Sequence, residues 1–220
     1  MMTNQPLPAA HERSVSWLLT GLLTVALLLS IGFLAKFALP YLLLDSDVLA
    51  RFAGRRAWIL PHIATGSVAL LVGPIQIWFG FSGKAMGFHR RLGVVYLVSI
   101  AVSSLTSFYL AVTTEVSWVL GAGLGGLGCA WVITTSLAYL AVVLRQYQQH
   151  QEWMIRSYVV TLGFVFFRVF VGVTSAFEVG TLFDRLNAGS WFCWAFPLLI
   201  TEAILQGMKL FRRPAAAVSG

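Results

Sequence analysis

The chain has 220 residues, of which 58% are hydrophobic and only 10% charged, with a mean hydropathy of +0.81 and a net charge of +7. A soluble globular domain carries roughly 25% charged residues, so this composition excludes one and points to an integral membrane protein. The 15 Lys and Arg fall in twos and threes between apolar stretches, without the aromatic-interleaved basic patch of a nucleic-acid surface, and no nucleic-acid partner is expected.

Six apolar stretches are each about long enough to cross a hydrocarbon core, and backbone in lipid must satisfy its own hydrogen bonds. The expected fold is therefore all-α: a polytopic membrane protein of six transmembrane helices in a bundle with short loops, its main partner the lipid bilayer. The domain reading is a tail over 1–16, a six-span domain over 17–211 and a tail over 212–220. Span one, about 17–39, ends near Pro40 and is followed by bulky residues, so it reads as retained and not as a cleaved signal. The other spans are expected at about 57–81, 92–112, 118–144, 157–179 and 191–210.

Basic residues set the orientation. One side collects Arg13, Lys84, Arg90, Arg91, Arg145, Arg156, Lys209, Arg212 and Arg213; the other has Arg51, Arg55, Arg56 and Arg185. Both termini are expected to be cytoplasmic, in a bacterial inner membrane.

In span two, His62 lies roughly 8 Å below Ala57. Arg168 in span five and Glu202 in span six are expected roughly 12 to 17 Å from the outer boundary. An unpaired Arg at that depth costs at least about 2.5 to 3.5 kcal/mol, so Arg168 is expected to pair with Glu202. His62, Arg168, Glu202 and Gln206 then form a buried polar pocket, suited either to a structural role or to a small carrier or proton-coupled transporter.

In span four, Gly121, Gly123 and Gly126 match GxGxxG but lie in an uncharged run with no strand before it, so the match reads as helix packing. Gly121, Gly125 and Cys129 make a small-residue face that suits a helix–helix oligomer. Cys129 and Cys193 show neither CxxC nor Cys/His spacing, and no catalytic triad or phosphate loop is present in the sequence.

The openings of spans three and five echo each other. In both, a His leads, basic residues follow and a Tyr sits seven or eight residues on: His89, Arg90, Arg91 and Tyr96, then His150, Arg156 and Tyr158. If the two hairpins are equivalent, His89 and His150 lie at equal depth on adjacent helices. That arrangement suits two axial ligands of haem b, a metal, or a quinone headgroup, with Tyr96 and Tyr158 as the floor and Arg90, Arg91 and Arg156 supplying positive charge. The alternative is an accessory or assembly protein with no chemistry of its own.

The same junctions carry a resemblance. His89, Arg90, Gly93 and Tyr96, and His150, Trp153, Met154, Arg156, Ser157 and Tyr158, are similar to two elements of a bacterial membrane-protein family, domain of unknown function 2306. His62 to Gly66, Gly73 to Gln76, and Arg168 also resemble that family, which covers about 58–170, with Phe167 where a Leu is usual. The resemblance implies a membrane location and a short list of residues, but no activity. Only His62, His89 and His150 lie in or beside spans, so the paired two-haem arrangement of b-type cytochromes is excluded and one haem is the most that fits.

Overall fold

The computed structural model describes residues 9–211 apart from 45 and 51, and those residues form helices and turns only. Helix α1 (Ala9–Phe33) runs through a π turn, Leu34–Ala38, into α2 (Leu39–Leu42). A connecting segment holds α3 (Ser46–Ala50) and a 3₁₀ turn, Ala53–Arg55. Then come α4 (Arg56–Ser82), α5 (Met86–Val112), α6 (Trp118–Val143), α7 (Tyr147–Thr161), α8 (Gly163–Ala176) and α9 (Leu182–Phe211). Five units among the described residues are long and apolar enough to cross a membrane, and α7 with α8, bent by 43°, makes a sixth if the pair is one broken span. The tail 212–220 lies outside the described residues.

Short connections force neighbouring helices antiparallel. The chain therefore has a first end, carrying the α4–α5 and α6–α7 turns and the end of α9, and an opposite end carrying the other connections. Helices α4 to α7 close on themselves as a four-helix core, with α4 against α5, α5 against α6, α6 against α7 and α7 back on α4. Helix α9 packs on α6, α7 and α8, while α1 lies along α4. The core holds Ala69, Tyr96, Ile100, Leu127, Trp131, Ala138, Met154 and Val160. Leu18, Leu22 and Leu28 of α1 are exposed, as expected of side chains that meet lipid rather than water.

Breaks in the helices have identifiable causes. Pro40 has no N–H, and a regular helix would press its ring on the carbonyl four residues back. The chain adds a residue to that turn instead, and the Leu39 N–H reaches Leu34 O. In α4, Pro74 leaves the carbonyl of Leu70 without its helical donor, and the Tyr158 hydroxyl donates to it across the core at 3.3 Å. Gly73 admits that ring, for a Cβ there would stand 2.3 Å from Tyr158 Cδ2. Serines and threonines in the spans satisfy themselves on preceding carbonyls, as Ser67 does on Ile63 and Thr65 on Pro61.

Several helices begin earlier than the apolar pattern implies, α7 and α9 by the most. Helix α7 opens at Tyr147 and α9 at Leu182, both through polar first turns. For α9 the signal is a capping box: Asp184 Oδ2 accepts from the Thr181 N–H, and the Asp184 N–H donates to Thr181 Oγ1.

Gly121 is buried, and a Cβ there would lie 2.5 Å from Ala111 O. It therefore serves packing of α6 on the end of α5 inside one chain, which corrects its place in an oligomer face. Gly125 has open space beside it, and Cys129 is exposed.

A histidine pair at one end of the core

The first turns of α5 and α7 bring His89 and His150 together, with ring centres 6.4 Å apart and planes at 87°. Each ring is anchored to the helix before it. His89 Nδ1 donates to Gln76 O at 3.1 Å, and His150 Nδ1 donates to Ala138 O at 2.8 Å. A carbonyl can only accept, so both Nδ1 atoms carry the proton, and in the neutral rings both Nε2 atoms keep a free lone pair. Metal-binding histidines are held in the same way, the remote nitrogen fixed by a carbonyl so that the other is oriented and basic.

Two glycines make room for the His89 and Gln76 side chains. A Cβ at Gly80 would approach His89 Cε1 to 3.3 Å, and one at Gly93 would approach Gln76 Nε2 to 3.2 Å. The Gln76 side chain is buried, and its Oε1 has no donor among the described residues. A buried acceptor left alone costs about 1 to 3 kcal/mol, so this atom marks a place where a water or ligand donor is wanted.

Below the pair lies a buried hydroxyl network. Tyr96 OH contacts Ser157 Oγ at 3.1 Å and Thr161 Oγ1 at 2.9 Å, Thr135 Oγ1 meets Ser157 Oγ at 2.7 Å, and the Trp131 indole donates to Thr161 at 2.8 Å. The network joins α5, α6 and α7 roughly two to three turns beneath the histidines. Tyr158 is also buried, held against Gly73 and Leu70 as described above. Arg90 and Arg91 are exposed at the rim.

Arg156 is not at that rim. It is buried, with Nε and Nη2 donating to Glu202 Oε2 at 2.7 and 2.6 Å, its guanidinium 4.6 Å over the Trp153 ring, and Glu152 3.7 Å from Nη1. Lys209 closes on Glu152 at 2.6 Å, and Gln206 donates to Glu202 at 2.6 Å. This balanced cluster locks α7 to α9, so the charge of Arg156 is already matched.

The expected Arg168–Glu202 pair is therefore corrected. Because α9 starts at Leu182, Glu202 lies twenty residues along it and only nine from Phe211, in the half of the bundle that holds the histidines. Arg168 lies in α8 toward the opposite end, exposed, with its guanidinium 5.0 Å from the Phe37 ring centre. His62 joins neither. Its Nδ1 donates to Ser103 O at 2.9 Å while Ser103 Oγ donates back to His62 O at 3.1 Å, a reciprocal clasp between α4 and α5. The four residues expected to form one polar pocket thus fall in three places.

Sequence reasoning missed Thr135, Thr161, Trp131, Glu152 and Lys209 as parts of the site, and reached Gln76 only through the resemblance. Glu152 had a usable signal in its i, i+4 spacing to Arg156. The hydroxyl network had none, since Ser and Thr in apolar helices usually bond their own backbone.

This is a polytopic helical membrane protein whose four-helix core holds a histidine pair at one end. A family model described as "Predicted membrane protein (DUF2306)" matches residues 59–205, more than half of the chain, and the chain belongs to that family. No curated protein and no solved structure matches it. The resembling elements converge in space: Gln76, His89, Gly93, Tyr96, His150, Ser157 and Tyr158 all line or support the histidine end of the core.

Proposed function

We propose that this multi-pass protein of a bacterial inner membrane holds a metal-centred cofactor between His89 and His150, at the cytoplasmic face, and serves electron transfer. The observation that carries the reading is the pair of imidazoles 6.4 Å apart, each with Nδ1 spent on a backbone carbonyl and Nε2 left as a ligand atom.

A ring separation of 6.4 Å is within reach of a single metal held by both Nε2 atoms, each bond being about 2.0 Å. Among the described residues no group of three His, Cys, Asp or Glu is placed to hold an ion, so a centre that brings its other ligands with it suits the donor set. Haem b does, and when bound it supplies one-electron chemistry at its iron. His89 and His150 would hold it through Nε2, and Arg90 and Arg91 would offer charge to its propionates. Tyr96, Ser157 and Thr161 join α5 to α7 below the rings and so support their separation.

The test is spectroscopic and elemental. Protein purified with haem supplied during expression should show a Soret band at one haem per chain, lost in both His89→Ala and His150→Ala. A stoichiometric metal lost in the same variants without a Soret band would replace haem with a bare ion. Neither signal in a folded preparation would reject the cofactor, leaving the accessory role.

A further inference from the structure

Arg168 sits within a membrane-spanning helix, and no ion pair or side-chain hydrogen bond holds it among the described residues; its contact is with Phe37. The π turn at Leu34–Ala38 brings a second cation to the same ring, for Lys36 Nζ lies 5.4 Å from the Phe37 centre and Arg168 Cζ 5.0 Å. The two charges are thus no more than about 10 Å apart on one aromatic side chain, and both are exposed on the outside of the bundle. Their depths agree: Lys36 is six residues from the end of α2 and Arg168 eight from the end of α8, roughly 9 and 12 Å along the helices.

Two cations at that depth repel each other and lie where a charge costs about 2.5 to 3.5 kcal/mol on the mildest scale. Within a bilayer the anions in reach are lipid phosphates. Alongside the same π turn, an apolar groove of ≈ 340 Å³ runs between α1–α2 and α4, lined by Leu34, Ala35, Leu39, Ser67 and Leu71. A groove of that kind beside a pair of cations is complementary to an acyl chain attached to a phosphate.

We propose that Lys36, Phe37 and Arg168 form a binding site for an anionic phospholipid, in the leaflet opposite the histidines. Arg168 and Lys36 donate to the phosphodiester oxygens, Arg168 as a fork and Lys36 as a point charge. One acyl chain lies in the groove beside the π turn. With two cations and no carboxylate paired to either among the described residues, the net charge favours a lipid without a headgroup amine, so phosphatidylglycerol binds in preference to phosphatidylcholine.

Native mass spectrometry of the detergent-purified full chain, titrated with each lipid, tests the site, with the melting temperature as a second readout. Wild type should retain one phosphatidylglycerol and melt at a higher temperature with it, while phosphatidylcholine and inorganic phosphate produce no comparable effect. Lys36→Gln and Arg168→Gln should each weaken retention about tenfold, and the double variant should retain none at the concentration that saturates wild type. Both side chains are exposed, so the variants are expected to fold, which size-exclusion and circular dichroism confirm separately; if the double variant fails to fold, the two single variants decide. Phosphatidylglycerol retention unchanged in the variants, or equal retention of phosphatidylcholine, would overturn the site. An equal effect of inorganic phosphate would overturn the lipid as its ligand.

Discussion

Arg156 shows how much depends on where a single charge is placed. Buried beside Glu152, Glu202 and Trp153, it is the centre of an ion cluster within the α7–α9 contact. Removing one partner of a buried pair typically costs about 3 to 5 kcal/mol, because the other charge is left without compensation. Arg156→Met should therefore lower the melting temperature sharply or deplete the folded protein. Glu202→Gln should be milder, since the Glu202 side chain is 43% exposed and the amide oxygen still accepts from Arg156. Equal losses in the two variants would show that the carboxylate is as buried as the guanidinium. The sequence carried the cost of an intramembrane Arg correctly but assigned the carboxylate to the wrong one. Residues 182–190 are too polar to read as part of a span, and reading them as loop displaced Glu202 by two helical turns relative to Arg168.

At the scale of elements, close helix approach depends on particular glycines. Gly73 lies under the Tyr158 ring, and the same hydroxyl serves the carbonyl that Pro74 releases. Gly73→Ala should force the ring off Leu70 and cost about 1 to 3 kcal/mol. Gly125→Ala meets nothing within 4 Å and should be neutral or slightly stabilising. Thermal melts of the two variants side by side check both, and similar losses would mean the second face is covered in solution. The π turn offers a further test. Pro40→Ala restores the missing donor and should let 34–42 relax to a regular helix, which turns Lys36 by part of a turn away from Phe37. Solvent-accessible labelling of a cysteine at position 36 should then differ between the two backgrounds. The existence of the spans was legible because long apolar runs have one solution in lipid. The π turn and the 43° bend were not, since a proline or a glycine in a span marks where a helix is weak without saying which way it yields.

For the whole molecule, the basic residues govern which end faces the cytoplasm. The basic residues that oppose a cytoplasmic histidine end have structural duties in part. Arg55 donates to Thr113 O at 2.7 Å and so caps the end of α5, and Arg185 donates to Val179 O and Gly180 O at 2.7 and 2.8 Å and so ties down the α8–α9 connection. Arg56 is exposed, and Arg51 lies outside the described residues. At the histidine end Lys84, Arg90, Arg91 and Arg145 are exposed and make no such bond among the described residues, which leaves them to act on orientation. Reporter fusions in the turns at 83–85 and 144–146 should therefore be inactive with a periplasm-dependent enzyme, and fusions at 113–117 and 177–181 active. The reverse pattern would place the histidine pair in the periplasm and the Lys36–Arg168 site in the cytoplasmic leaflet. Like results on both sides of the α7–α8 bend would show that this pair re-enters the membrane from one face instead of crossing it, leaving five spans and the two termini on opposite sides.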